Sequence, residues 1–309
     1  MIDVTLLGTA ALMPLPDRGL TAAYLECGGR AVLFDCGEGT QTAIRREKLN
    51  PMKIDLIALT HYHGDHLFGL PGLLQSLHVM ERERPLYITG PEPLMEMIRP
   101  VAQLTGGTCF PIMAAQIPPE GVSMQAFDPA WPEKARLTPF PTKHRSPSQG
   151  YCFTLDRAGK FLPEKARALN VPVTEWGRLQ KGEEVETPEG IVRPEQVTGP
   201  PRKGLKFVFS GDTAECPALT EAARGADLAI LEGTFGDPAH EEAADRYGHM
   251  TFGRAARTAA EAGVRKLWLA HFSQRMEDPA DYLSHAEAFF PGTVLGRDGM
   301  RTTLAFEKD

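Results

Sequence analysis

Short apolar runs of four to six residues, most of them closed by Gly, Pro or Asp, recur at 2–7, 22–27, 30–34, 56–60, 86–89, 151–155, 206–210, 228–231 and 266–270. Runs of that length between turn-forming residues predict β-strands. Between them, apolar positions at helical spacing predict helices over 40–48, 70–83, 93–103, 218–224, 251–261 and 279–288. Gly225 and Gly263 close two of these, since glycine takes the left-handed conformation that ends a helix. Strands lead in each half and strand–helix alternation follows, with no internal repeat. An α/β sandwich with sheets inside and helices outside buries every apolar face at once.

Residues 156–204 break the rhythm. They are rich in Pro, Lys, Glu and Gly, carry few large apolar residues besides Trp176, and contain the turn-forming Thr187-Pro-Glu-Gly and Gly199-Pro-Pro-Arg-Lys-Gly. Such composition buries no core of its own. The stretch reads as a protruding insertion with at most one short helix, near 164–169, although an ordinary long surface loop would have the same composition. The 309 residues are then one large domain, 1–309, carrying an arm at 156–204.

Composition, at 42% hydrophobic and 24% charged, is that of a folded globular chain and excludes disordered and fibrous classes. The net charge of −7 argues against a protein that coats nucleic acid indiscriminately. The average hides a reversal, because residues 134–206 hold 14 basic and 8 acidic groups, +6 in a chain whose remainder is −13. A polyanion would be met there. The five cysteines (Cys27, Cys36, Cys109, Cys152, Cys216) form no C-x-x-C pair, the pattern of reduced thiols. There is no basic leader and no apolar run of about 18 residues, so the expected location is the cytoplasm, with no membrane involved.

The sharpest chemical feature is at 59–66, Leu-Thr-His-Tyr-His-Gly-Asp-His, where an apolar strand runs into three histidines and a carboxylate. At a strand end His61 and His63 can face one side while Asp65 and His66 reach another, with Gly64 allowing the bend. Imidazoles with a carboxylate suit zinc better than calcium or magnesium. Three further groups stand where strands begin or end: His144 before 151–155, Asp212 after 206–210 and His271 after 266–270. Ligands bind at such sheet ends in α/β folds.

His-x-His-x-Asp-His, then a lone His, an Asp after a strand and a final His, in this order, resembles the metallo-β-lactamase superfamily, an αββα sandwich with two metals. The resemblance spans essentially the whole chain. It implies one zinc held by His61, His63 and His144 and a second by Asp65, His66 and His271, with Asp212 bridging and manganese as another possible ion. Di-iron redox members carry Glu where this chain has His63, which favours hydrolysis. Several stretches are similar to the ribonuclease Z family: Leu7-Gly-Thr9, Phe34-Asp-Cys-Gly-Glu-Gly-Thr-Gln41, Gly69-Leu-Pro-Gly-Leu73, Pro200-Pro-Arg-Lys-Gly204, Ser210-Gly-Asp-Thr213 and Ala270-His-Phe-Ser-Gln-Arg275. His144 stands seven residues before Tyr151, as in that family. The family inserts an arm that grips transfer RNA at the place of 156–204, and Leu179-Gln-Lys-Gly-Glu-Glu184 is similar to the arm's second half.

The resemblance implies a homodimeric, zinc-dependent endoribonuclease that removes 3′ trailers from precursor transfer RNA. Water activated between the metals is the nucleophile, Asp65 accepts its proton, and His249, polarised by Glu232, protonates the leaving 3′ oxygen. Lys143, Arg145, Arg178, Lys181 and Arg275 are the expected substrate contacts, mostly to phosphates. The family's Gly-Pro stretch is replaced by Val171-Pro-Val-Thr-Glu-Trp176, its His-Glu-Ala-Thr by Leu231-Glu-Gly-Thr234, its His-Ser-Thr by His249-Met-Thr251, and the Tyr after Arg275 by Met276. His78, His240 and His285 match nothing and read as surface residues. Two other outcomes stay open at this level: a small-molecule phosphodiesterase or arylsulfatase on the same dinuclear site, and a binding protein with a degenerate one.

Overall fold

The computed structural model describes residues 1–307. Two seven-stranded sheets form the centre. The first runs in the order Arg301–Leu304, Ile2–Gly8, Ala22–Cys27, Arg30–Phe34, Ile54–Ala58, Leu86–Thr89, Ile112–Ala114. The second runs Val294–Leu295, Leu267–Ala270, Leu228–Glu232, Arg202–Phe209, Gln149–Arg157, Ala135–Pro141, Val122–Ser123. Central strands such as Ile54–Ala58 and Leu228–Glu232 are buried along their whole length, as parallel strands covered on both faces must be.

The sheets pack face to face around Phe34, whose ring centroid lies 5.9, 5.4 and 5.6 Å from those of Tyr151, Phe207 and Phe209 on the opposite sheet. Leu70, Leu73, Leu74 and Leu77 of helix Leu70–Val79 cover the outer face of the first sheet. Ala255, Ala256 and Ala259 of Phe252–Glu261 cover the second. Four layers, αββα, result.

The chain divides into two compact units: Met1–Thr154 with the chain from Leu205 onward, and Leu155–Gly204. The second unit corrects the composition-based expectation, since it has a core of its own. Ala166, Val171, Leu179, Val185, Val192 and Val197 are buried together, with Phe161, Leu169 and Trp176 packed against them. It holds two helices, Pro163–Ala168 and Trp176–Gln180, and a hairpin pairing Val185–Thr187 with Gly190–Val192. A few small aliphatics suffice because the Arg167 guanidinium lies 5.4 Å from the Trp176 ring and Trp176 Nε1 donates to the Val171 carbonyl.

In the two large sheets apolar patterning does not predict Ala135–Pro141, one strand in from an edge, nor the four edge strands Ile112–Ala114, Val122–Ser123, Val294–Leu295 and Arg301–Leu304. An edge strand is short and partly solvated, so its hydrophobic signal is weak.

Candidate metal centre and active site

The site lies at the carboxyl ends of the parallel strands of both sheets. From the first sheet, Asp35 follows Phe34 and the 59–66 segment follows Ile54–Ala58. From the second, Asp212 follows Arg202–Phe209, Glu232 ends its strand, and His271 follows Leu267–Ala270. Gly211 takes φ 58 and passes so close to Thr60 that a Cβ there would stand 2.5 Å from the threonine Cβ. Only glycine lets the two sheets' loops approach this closely.

Two sets of side chains converge. His61, His63, His144 and Asp212 bring one ligand atom each within 4.8 Å of one another, and Asp65, His66 and His271 do the same. Gly64 keeps ordinary dihedrals and opens a short helix, Gly64–Leu67, instead of making a left-handed bend. That helix carries Asp65 and His66 toward His271, with the His66 ring centroid still 4.1 Å from that of His61. Asp212 faces both sets: Oδ2 lies 3.7 Å from His61 Nε2, while Oδ1 lies 3.4 Å from His66 Nε2 and 3.2 Å from His271 Nε2.

Asp212 Oδ1 is buried and has no hydrogen-bond partner despite those two nitrogens. A buried anionic oxygen ringed by imidazole nitrogens fits a divalent cation in place of a donor. Protonation agrees with that fit. Burial, reinforced by His66, holds the His61 imidazole well below its ordinary value, in the neutral form a ligand needs. Burial would raise the Asp212 carboxyl, but His271, His66 and His61 together hold it well below the usual range.

The nitrogens turned away from the centre are anchored. His66 Nδ1 meets Asp35 Oδ2 at 2.7 Å, and His61 Nδ1 meets Thr60 Oγ1 at 3.1 Å. Thr60 in turn donates its N–H and hydroxyl to Asp35 at 2.7 and 2.8 Å. His144 Nδ1 donates to the Gly248 carbonyl at 2.9 Å, and His271 Nδ1 meets Thr234 Oγ1 at 2.9 Å. Such partners set tautomer and ring orientation. Asp35, Thr60, Thr234 and Gly248 escape the sequence reading. Asp35, Thr60 and Thr234 lie inside quoted motifs, but nothing local shows that they reach a histidine.

His249 stands beside the metal-ligand sets. Its Nδ1 is 2.8 Å from Glu232 Oε1, and its ring stacks at 23° to that of His271. Burial alone would lower the imidazole, but the Glu232 carboxylate overrides this and raises it to about 9. Asp212, His249 and His271 also lie within 4.8 Å of one another, so His249 is within reach of a metal too.

A cavity of about 520 Å³ adjoins these groups, and Arg145 and Arg275 line it. Lys143 is exposed and donates its backbone N–H to Thr213 at 3.0 Å. Arg178 and Lys181 belong to the second unit, where Arg178 pairs with Glu175 and Glu183, each at 2.9 Å. His78 accepts the Cys109 N–H, and His285 meets the Gly236 carbonyl and the Tyr282 ring; neither belongs to the metal-ligand sets. His240 is exposed but lines the cavity, a place the sequence does not reveal.

The metallo-beta-lactamase superfamily model matches residues 17–191, and a beta-lactamase superfamily domain model matches 196–272. A ribonuclease Z of Lachnoclostridium phytofermentans is 37% identical over 311 residues, covering 100% of both chains. That of Agathobacter rectalis is also 37% identical with 100% coverage of both. The chain belongs to the ribonuclease Z family. The crystal structure of human tRNase Z, short form, has a TM-score of 0.68 at 28% identity and covers 98% of this chain and 100% of its own. In ribonuclease Z terms, the Leu231 substitution falls on a fully buried strand position and leaves Glu232 in hydrogen-bond contact with His249. Met276, where that family carries Tyr, is buried and lines the cavity.

Proposed function

We propose that this chain is a zinc-dependent endoribonuclease that removes 3′ trailers from precursor transfer RNA. The observation that carries the reading is Asp212 directing one carboxylate oxygen at each set of ligands, with the His249–Glu232 pair alongside. In this reading His61, His63 and His144 hold one zinc ion, Asp65, His66 and His271 a second, and Asp212 both. Divalent cations bound there supply Lewis acidity and lower the pKa of water.

The protein's own groups then handle the protons. Asp65, kept ionised against burial by His271 and His66, accepts the proton of the attacking water. A phosphorus–oxygen bond forms as the bond to the 3′ oxygen breaks, and His249 donates its Nε2 proton to that oxygen, because Glu232 occupies Nδ1. The products are a 3′-hydroxyl RNA and a trailer with a 5′ phosphate. Arg145 and Arg275 contact phosphates near the cut, with Lys143 beside them. The 155–204 unit, with Arg178 and Lys181, grips the body of the transfer RNA, in a homodimer where each arm serves the partner's site. A reducing cytoplasm is the proposed setting, in keeping with five free thiols; among the described residues no helix is long and apolar enough to cross a membrane.

The deciding experiment incubates the purified protein with a trailer-bearing precursor, with and without chelator, and maps the cut. A chelator-sensitive cut beside the discriminator nucleotide, restored by zinc, is the expected outcome. Cleavage at scattered sites, or none, overturns the reading. Light scattering tests the dimer.

A further inference from the structure

The lining of the 520 Å³ cavity includes, besides the metal-ligand groups, the aromatic and apolar side chains of Phe235, Tyr247, Met276 and Tyr282. Metal ligation does not require these four, and phosphate contact does not use them. Tyr247 is 43% exposed, and two guanidiniums flank its ring, Arg145 at 5.7 Å and Arg246 at 5.9 Å from the centroid. Its position relative to the site is set by its neighbours. Gly248, the next residue, ends helix Glu241–Tyr247 at φ 76 and gives its carbonyl to His144. His249 follows, its ring centroid 6.3 Å from that of Phe235. An aromatic face with adjacent guanidiniums, in a cavity continuous with the reacting phosphate, suits a nucleobase, whose π-face stacks on the ring while its phosphates meet the cations.

We propose that Tyr247 is the stacking platform for the base of the nucleotide that supplies the leaving 3′ oxygen. This rests on the endoribonuclease reading above. The choice of nucleotide follows from chain geometry: His249, which serves the leaving oxygen, is two residues from Tyr247, and a base lies one sugar away from its own 3′ oxygen. Stacking tolerates any base, so the platform positions the cut without selecting a sequence.

The test compares wild type with Tyr247→Ala, Tyr247→Phe and Tyr247→Leu on a trailer-bearing precursor. It repeats the assay with an abasic residue at the last nucleotide before the cut or at the first one after it. Tyr247→Ala and Tyr247→Leu are expected to lower kcat/KM roughly 10- to 100-fold, the range for removing a stacking aromatic, and Tyr247→Phe to stay near wild type. With the base before the cut absent, wild type falls by a similar factor and Tyr247→Ala falls no further; with the base after the cut absent, the Tyr247→Ala loss persists. The inference is overturned if Tyr247→Ala cuts the intact precursor as wild type does, or keeps its full loss when the base before the cut is missing. A wild-type protein that does not cut the precursor at all overturns the underlying reading instead.

Discussion

Glu232 Oε1 lies 2.8 Å from His249 Nδ1, and the same buried carboxylate accepts the backbone N–H groups of Thr213, Thr234 and Met250. One anion therefore sets the geometry of the loop after Asp212, the loop carrying Thr234 and the segment around His249. Glu232→Gln keeps the shape and removes the charge. Turnover on precursor is expected to fall ~10- to 100-fold with bound metal per chain little changed, as measured by kinetics beside metal analysis.

His249→Ala distinguishes acid from ligand. As the proton donor it should cost ~100-fold or more in turnover and leave metal content at the wild-type level. A metal deficit comparable to that of His63→Ala would assign it to the ligand set with Asp212 and His271 that the geometry also allows.

Gly248 is required twice over. It adopts φ 76, and a Cβ there would stand 2.9 Å from the His144 Cα and 3.1 Å from its Nδ1. Gly248→Ala is expected to cost ~1–2 kcal/mol in thermal unfolding and to weaken metal retention. Gly248→Asn tolerates the dihedral but keeps the clash, so metal loss in both variants would locate the defect at His144.

Within the 155–204 unit the Gly199 N–H donates to the Lys160 carbonyl at 2.8 Å, so the chain returns close to where it left. A short Gly-Ser linker can therefore replace 161–198. Precursor cleavage should drop at least ~100-fold, because remote contacts position the scissile bond, while hydrolysis of bis(p-nitrophenyl) phosphate stays largely intact. Equal loss of both activities would contradict the gripping role. For the intact protein, precursor binding should weaken steeply with added salt.

Phe34 joins the two sheets through three ring contacts. Phe34→Ala is expected to destabilise the protein by ~3–5 kcal/mol in urea unfolding, since rings fixed on two hydrogen-bonded sheets cannot close around the void. Because Asp35 is the next residue, metal retention should fall along with stability.

The 59–66 segment was legible because its groups are adjacent in the chain, and His144, Asp212 and His271 because each stands just outside an apolar strand. The central strands were legible for the same kind of reason, being short and apolar between turn formers. The edge strands and Ala135–Pro141 were not, because only part of each is buried. Residues 156–204 were misread as coreless: composition counts large apolar residues, whereas a small core of four valines, one alanine and one leucine needs only a hairpin, two short helices and a tryptophan to close it.

The order of chemical groups along this chain, read with its resemblance to the ribonuclease Z family, was enough to predict an αββα fold, two metal-ligand sets and an RNA substrate. Those features depend on residue type and spacing, which a sequence carries directly. Packing alone decided that Asp212 turns one oxygen to each set, that Glu232 binds three loops at once and that Gly248 orients His144. These contacts join loops that meet at the strand ends only once the sheets have assembled, and hydrogen-bond directions between them are properties of the folded backbone.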